Sequence, residues 1–192
     1  MTEPAATPPT TTLVVMGVSG SGKTTVAQGL AHRLGWVYAE GDDFHSAANV
    51  AKMRAGLPLD DADRWPWLRS LAAWIGAQEA AGRSAVVTCS ALKRAYRDVL
   101  RDGHPSVWFV HVTVADGVLR ERVVRRRGHY MPPSLLASQL DTLQPLRPDE
   151  PGRAVSGDGE PGVVVDRVLQ TLRGQRLDPP GGPPAPAAGS DR

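Results

Sequence analysis

The chain has 192 residues and a formal net charge of +2, and 41% of its residues are hydrophobic while 22% are charged. This composition is typical of one folded domain with a hydrophobic core, and it excludes a fibrous or wholly disordered protein. The small positive charge provides no electrostatic reason to expect nucleic acid or a membrane surface as a partner.

The two ends of the chain differ in composition from its middle. Pro, Ala and Thr dominate residues 1–11, and Pro, Gly and Ala dominate residues 175–192, so we predict disordered tails around a folded domain at 12–174. No apolar run approaches the roughly 18 residues that a membrane-spanning helix needs, and the N-terminal tail lacks the basic region of a signal peptide. We therefore expect a cytoplasmic protein.

Short apolar runs alternate with longer helical patterns along the domain. Strands are predicted at 13–16, 36–39, 85–89, 107–114 and 162–165. Helices are predicted at 23–34, 64–81, 92–101, 116–127 and 133–143. Because the strands are β-branched and nearly all apolar, they indicate a parallel sheet that is covered on both faces. The pattern predicts an α/β three-layer sandwich with a five-stranded parallel sheet and helices on both faces.

The segment GVSGSGKT (17–24) joins the first predicted strand to the first helix and fits the pattern G-x-x-x-x-G-K-[ST] of a phosphate-binding loop (P-loop). Its glycines allow backbone N–H groups to point at phosphate oxygens. Lys23 adds charge toward the β and γ phosphates, and Thr24 offers a hydroxyl to Mg²⁺. The motif predicts a P-loop NTPase fold that binds ATP and Mg²⁺. The residues expected to contact ATP are Gly17, Val18, Ser19, Gly20, Ser21, Gly22, Lys23, Thr24 and Thr25.

The segment EGDDFH (40–45) follows the second predicted strand. Ligands of an open parallel sheet lie beyond the carboxyl ends of its strands, so this segment should face the same crevice as the P-loop. We predict that Asp42 orients an acceptor hydroxyl and takes its proton during phosphoryl transfer. Asp43 is interpreted as the N-terminal cap of the next helix. His45 either contacts the acceptor or is a solvated turn residue.

Lysine is rare in this chain, which has 19 arginines and three lysines. A lysine retained against this background suggests a site that needs a compact ammonium group. Lys23 already has such a site in the P-loop, and Lys52 and Lys93 are therefore further candidates for substrate contact. For Lys93 a solvated charge in the first turn of a helix is the alternative.

Four tryptophans lie between residues 36 and 74, a density that raises the question of sugar stacking. The segment RWPWLRSLAAWI (64–75) has apolar positions at helical spacing, which favours core packing instead. Trp65 and Trp67 flank Pro66 near the predicted helix start, and their interpretation stays open.

Several motifs together resemble the bacterial gluconokinase family. They run in order over about residues 13–145 and include MGVSGSGKTTVA (16–27), GDDFH (41–45), DRWPWL (63–68), CSALKRAYRDVLR (89–101) and RRGHYMPPSLLASQLDTLQP (126–145). The resemblance implies a nucleoside-monophosphate-kinase-like fold with a mobile lid, and the use of ATP and Mg²⁺. It also implies phosphorylation of D-gluconate at its 6-hydroxyl, and a homodimer.

The resemblance and the chemistry of gluconate, a polyol with one carboxylate, lead to a set of site residues. Those expected to bind the substrate are Asp42, His45, Lys52, Arg54, Ser90, Lys93 and His129. The lid is expected at about 122–135, where Arg126 and His129 match the family pattern and Arg122 lies one helical turn earlier. A lid carrying arginines can neutralise phosphate charge and exclude water when it closes, so Arg122 and Arg126 are expected to contact ATP. Catalysis is assigned to Lys23, Asp42 and Arg126.

Two features of the sequence leave alternatives open. The third predicted strand ends in Cys-Ser (89–90) rather than in Asp, so the usual metal-associated carboxylate is missing and Mg²⁺ would rely on Thr24, with Glu40 or Asp42 through water. The Arg cluster is also compatible with a solvated helix face. The alternatives are a kinase of another small hydroxylated acceptor such as shikimate, and a non-catalytic nucleotide switch that binds RNA or protein.

Overall fold

The computed structural model describes residues 10–125 and 133–175. Five strands form one parallel sheet in the order β2-β3-β1-β4-β5. The strands are β1 (Thr12–Met16), β2 (Val37–Ala39), β3 (Ala85–Thr88), β4 (Val107–Thr113) and β5 (Gly152–Ser156). The register places Val14 of β1 between Val87 of β3 and Phe109 of β4.

Helices cover both faces of the sheet. They are α1 (Lys23–Leu34), α2 (Ala47–Arg54), α3 (Asp61–Ala80), α4 (Arg94–Arg101), α5 (Asp116–Arg125), α6 (Pro133–Thr142) and α7 (Pro161–Gly174), with a 3-10 turn at Gly41–Phe44. Side chains of α1 and α7 pack on one face of the sheet. Those of α3, α4, α5 and α6 pack on the other. The predicted three-layer α/β sandwich is confirmed.

The central strand β1 shows why the predicted strands are continuously apolar. Leu13 and Val15 contribute to the core under α1 and α7, whereas Val14 and Met16 contribute to the core under α3 and α4. All four side chains are fully buried. Because alternate side chains of a strand point to opposite faces, a strand covered on both sides needs apolar residues at every position.

The predicted strand at 162–165 is wrong, because these residues lie on α7 and the fifth strand is β5. Pro161 occupies the first turn of α7, and Val164, Val165, Val168 and Leu172 are buried at helical spacing. Among the described strands, β5 is an edge strand that pairs with β4 alone, and it has the less apolar sequence GRAVS. The valine-rich sequence of this segment therefore predicts a strand, although tertiary packing stabilises a helix there.

The interpretation of Asp43 as a helix cap is also wrong. Ser46 is the N-terminal cap of α2, and its hydroxyl accepts a hydrogen bond from the Asn49 backbone N–H at 3.2 Å. Helix α3 begins at Asp61 rather than at residue 64, because Asp60 and Asp63 form a reciprocal capping box. Pro66 lies inside this helix, within its second turn.

Part of the predicted lid lies outside the described residues, and this part includes Arg126 and His129. The N-terminal nine residues and residues 176–192 of the predicted tails lie outside them as well. Among the helices of the described ranges, none combines the length and apolar character that a membrane span requires.

Candidate active site

A cavity of about 390 Å³ opens at the carboxyl ends of β1, β2 and β3. Six segments converge on it: the P-loop, the segment after β2, α2 with the loop that follows it, the start of α3, the end of β3, and α6. Its lining residues include Ser19, Gly20, Gly22, Lys23, Thr24, Glu40, Asp42, Asp43, His45, Met53, Arg54, Leu57, Arg64, Thr88, Ser90, Leu135, Ser138 and Gln139. The predicted P-loop and acceptor segments therefore share one cavity.

The P-loop has the backbone of an anion cradle. Gly20 and Gly22 have φ angles of 81° and 94°, which favour glycine, and a Cβ at Gly17 would lie 2.7 Å from the Val112 carbonyl oxygen. The Lys23 ammonium donates to the Val18 carbonyl at 2.9 Å, across the loop. The buried Ser21 hydroxyl has no hydrogen-bond partner within the described part of the chain. With the positive end of α1 beginning at Lys23, this arrangement fits a polyphosphate.

Helix α6 contacts the P-loop directly. The backbone N–H of Ser19 donates to Oε1 of Gln139 at 2.7 Å, and both residues line the cavity. One backbone N–H group of the P-loop is therefore hydrogen-bonded to a neutral side-chain acceptor on α6.

The acceptor segment is held against the end of β3 by Gly41. Its N–H donates to the Thr88 hydroxyl at 2.9 Å, and its carbonyl accepts from the Trp67 indole at 2.7 Å. A Cβ at Gly41 would lie 1.9 Å from the Thr88 carbonyl oxygen, so this close approach requires glycine. The contact places the neighbouring Asp42 at the cavity, where its side chain is 78% exposed.

His45 is packed rather than solvated. Its ring stacks on Trp67, with 4.2 Å between ring centroids and 15° between planes, and its side chain is 4% exposed. Burial and the nearby Arg64 cation lower the pKa of His45 to about 4. The imidazole is therefore neutral at physiological pH, and its Nε2 lies 3.9 Å from Oδ1 of Asp42.

Glu40 presents a carboxylate to the cavity in a fixed orientation. The hydroxyl of Tyr38 donates to its Oε2 at 2.8 Å, and the hydroxyl of Thr88 donates to its Oε1. Burial and the Glu40 carboxylate raise the pKa of Tyr38, which stays a donor. Hard oxygen donors such as Glu40 and Thr24 suit Mg²⁺, a metal that keeps several waters. No cluster of three or more His, Cys, Asp or Glu side chains suited to a metal occurs among the described residues.

The two candidate lysines are bound to carboxylates beside the cavity. The Lys52 ammonium lies 2.7 Å from both oxygens of Asp63. The Lys93 ammonium lies 2.8 Å from Oδ1 of Asp61. These hydrogen bonds raise the pKa of each lysine. Neither lysine is among the residues that line the described cavity.

Arg64 and Gln139 line the cavity although the sequence motifs do not single them out as site residues. Arg64 donates to the Leu59 carbonyl at 3.3 Å, and its guanidinium lies 5.6 Å from the Tyr96 ring centroid. Both residues lie within the segments that carry the family resemblance, and this is the signal that could have identified them. For Trp67 the core-packing interpretation holds, since the residue is 2% exposed.

The parallel sheet, the P-loop and the adjacent acidic segment define a P-loop domain of the small-molecule kinase type. A protein family described as "AAA domain" matches residues 13–146 of this chain. A gluconokinase of Gluconobacter oxydans (strain 621H) is 53% identical over 163 residues, which are 85% of this chain and 92% of that protein. The chain belongs to the gluconokinase family.

Solved structures agree with this assignment. A sugar kinase from Janibacter sp. HTCC2649 is 54% identical with a TM-score of 0.82, over 86% of this chain and 95% of that chain. A gluconokinase from Sinorhizobium meliloti 1021 is 43% identical with a TM-score of 0.76, over 88% of this chain and 94% of that chain.

Proposed function

We propose that the protein transfers the γ-phosphoryl group of ATP to the 6-hydroxyl of D-gluconate, giving 6-phospho-D-gluconate and ADP. The observation that carries this proposal is the shared cavity, which is lined by the P-loop after β1 and by Asp42 after β2, with the end of β3 between them. Family membership narrows the acceptor from any small hydroxylated molecule to a sugar acid.

On the nucleotide side, Lys23 and the N–H groups of the P-loop are proposed to hold the β and γ phosphates. Mg²⁺, when bound, neutralises charge on these phosphates, and Thr24, with Glu40 through water, would hold it. Arg122 donates to the Gly157 carbonyl at 3.3 Å, and one of its guanidinium nitrogens would lie 4.0 Å from a Cβ at Gly22. This proximity supports a role of Arg122 at the phosphates, and Arg126 is proposed to act beside it.

On the acceptor side, Asp42 is proposed to accept the proton of the attacking hydroxyl. The oxygen of that hydroxyl forms a bond to the γ-phosphorus while the bond to the β–γ bridging oxygen breaks. The gluconate carboxylate needs a cation, and Arg54 and Arg64 both line the cavity. Ser90 and His129 are proposed to bind substrate hydroxyls.

Lys52 and Lys93 are proposed to serve the acceptor site from outside the cavity. Their partners Asp63 and Asp61 both lie in the first turn of α3. Each ion pair joins this turn to another element, α2 through Lys52 and the start of α4 through Lys93. The two lysines would thereby fix the position of the start of α3, the element from which Arg64 reaches the cavity.

A coupled assay of ADP release against a panel of sugar acids, with shikimate included, tests the proposed function. Turnover is expected with D-gluconate and Mg²⁺-ATP, and Lys23→Ala should abolish it through loss of phosphate binding. Turnover with another acceptor alone would contradict the substrate. ATP binding without acceptor-dependent turnover, together with salt-sensitive RNA binding, would favour a nucleotide switch.

We also propose a homodimer, which rests on the family resemblance. Light scattering on the purified chain should give a mass of about twice its 20.5 kDa. A mass equal to that of one chain at assay concentration would contradict the dimer without affecting the proposed reaction.

A further inference from the structure

Three side chains from different elements form a buried group beside Asp42. His45 follows the 3-10 turn, Asn49 lies on α2, and Trp67 lies on α3. The His45 side chain is 4% exposed and Asn49 is 5% exposed. A buried imidazole held against an indole cannot turn freely, so its neighbours decide which ring nitrogen carries the proton.

A backbone carbonyl determines the orientation of the Asn49 amide. Its Nδ2 donates to the Asp63 carbonyl oxygen at 2.9 Å, and because a carbonyl oxygen only accepts, the amide atom facing it must be nitrogen. The same nitrogen lies 3.4 Å from Nδ1 of His45, and it has a second N–H to donate. Nδ1 is therefore the acceptor, and the proton of a neutral His45 is on Nε2.

We propose that Asn49 is a positioning residue that holds His45 as the neutral tautomer protonated at Nε2, so that this N–H and the Asp42 carboxylate together orient the attacking hydroxyl. The two groups, Nε2 of His45 and Oδ1 of Asp42, are 3.9 Å apart. This separation is too long for a direct hydrogen bond, but it is shorter than two hydrogen bonds of about 2.8 Å placed end to end. One hydroxyl oxygen fits between them.

This inference rests on the proposed function and completes the coordination of the hydroxyl. The oxygen has one proton and two lone pairs. The proton passes to Asp42, and one lone pair accepts the hydrogen bond from His45. The other lone pair forms the bond to the γ-phosphorus as the bond to the bridging oxygen breaks and its electron pair leaves with ADP. His45 keeps its proton throughout.

The charges around the imidazole are consistent with a neutral donor. Within the described part of the chain, the charged side chains that interact with it are Arg64 on α3 and Asp42 on the 3-10 turn, and its neighbours Asn49 on α2 and Trp67 on α3 are neutral. Burial and the Arg64 cation lower the pKa of His45 to about 4, so the ring is neutral at the pH of a kinase assay.

Nitrogen-15 NMR of histidine-labelled protein reads the tautomer directly. Long-range proton-nitrogen correlations distinguish a proton on Nδ1, a proton on Nε2 and an imidazolium, and His45→Gln assigns the signal. His111, buried on β4 with its pKa lowered to about 4, is a second neutral histidine for reference. We expect the His45 proton on Nε2 at neutral pH. A proton on Nδ1, or an imidazolium, would overturn the proposal whichever acceptor the enzyme phosphorylates.

Asn49→Asp tests the positioning role. A carboxylate beside Nδ1 accepts a hydrogen bond, so the ring proton should move to Nδ1 and kcat should fall by about 10²-fold, while the KM for ATP stays within a few-fold. Ser46→Ala is the matched control, because it removes the cap of α2 but leaves the Asn49 amide in place. Its tautomer and kcat should match those of the wild type. The positioning role fails if Asn49→Asp leaves the proton on Nε2, or if it moves the proton and retains full kcat.

Discussion

Asp42 and Asp43 are adjacent acids that both line the cavity, and only Asp42 lies close to a buried histidine. If Asp42 is the base, Asp42→Asn keeps the shape and removes the proton acceptor, so kcat should fall by about 10²- to 10⁴-fold. The affinity for ATP should stay within a few-fold, as measured by ADP release at varied ATP concentration.

Asp43→Asn is the matched control, because it makes the same chemical change one residue away. Asp43 does not cap α2, so its substitution should have little effect on stability or on kcat. A severe loss in Asp43→Asn combined with a silent Asp42→Asn would reverse the two assignments. Two silent variants would remove the catalytic role of the segment.

At the scale of elements, the contact between α6 and the P-loop leads to a prediction on ATP binding. The side-chain carbonyl oxygen of Gln139 accepts a hydrogen bond from the backbone N–H of Ser19, a P-loop donor that could also bind a phosphate oxygen. Gln139→Glu places a negative charge at this position and should raise the KM for ATP about tenfold or more. Gln139→Met has a similar size without the charge and should change it only a few-fold. Equal effects of both substitutions would contradict an anion site beside Gln139.

A buried ion pair joins α4 to the turn that precedes β5. The guanidinium of Arg97 contacts both carboxylate oxygens of Glu150, at 2.5 and 2.9 Å, and both side chains are fully buried. Glu150→Gln leaves the arginine charge buried and unpaired, so the free energy of unfolding should fall by about 3–5 kcal/mol in urea titrations. Asp149→Asn removes the exposed partner of Arg94 in the same turn and should have a small effect.

The same pair predicts a dependence of stability on pH. Burial alone would raise the pKa of Glu150, but hydrogen bonds from Arg97 and the Arg147 backbone outweigh burial and lower it. A carboxyl with a lowered pKa in the folded state stabilises the protein above its unfolded pKa of about 4.3, and this stabilisation is lost as pH falls through the folded pKa. Glu150→Gln should therefore weaken the loss of stability below pH of about 4.3 in thermal melts.

At the scale of the whole molecule, we predict that the C-terminal 16 residues, 177–192, contribute little to the fold. Their Pro, Gly and Ala composition offers little apolar surface, so deleting them should change Tm by only about 1–2 °C and leave kcat unchanged. Leu172→Ala, a substitution within the buried face of α7, should cost about 2–5 kcal/mol and lower Tm much more. A large fall in Tm on deletion would show that these residues pack against the domain.

Local sequence patterns determined the fold class and the P-loop of this protein. The P-loop spacing acts through backbone geometry within eight residues, and strands buried on both faces must be apolar at every position, so the fold class and the P-loop could be predicted. The apolar run at 162–165 could not be assigned correctly, because a valine-rich segment fits a buried strand and a buried helix face equally well. Packing of α7 on α1 and the sheet decided between them.

Tertiary structure alone decided which side chains meet. Ser19 and Gln139 are 120 positions apart in the chain, and Lys93 and Asp61 are 32 apart, so no local pattern relates them. Strand order and helix packing bring such residues together, and this is why the lysines pair with α3 and why Arg64 reaches the cavity. The state of His45 has the same origin, because its proton position follows from an amide on α2 and a carbonyl on α3 that meet only in the folded chain.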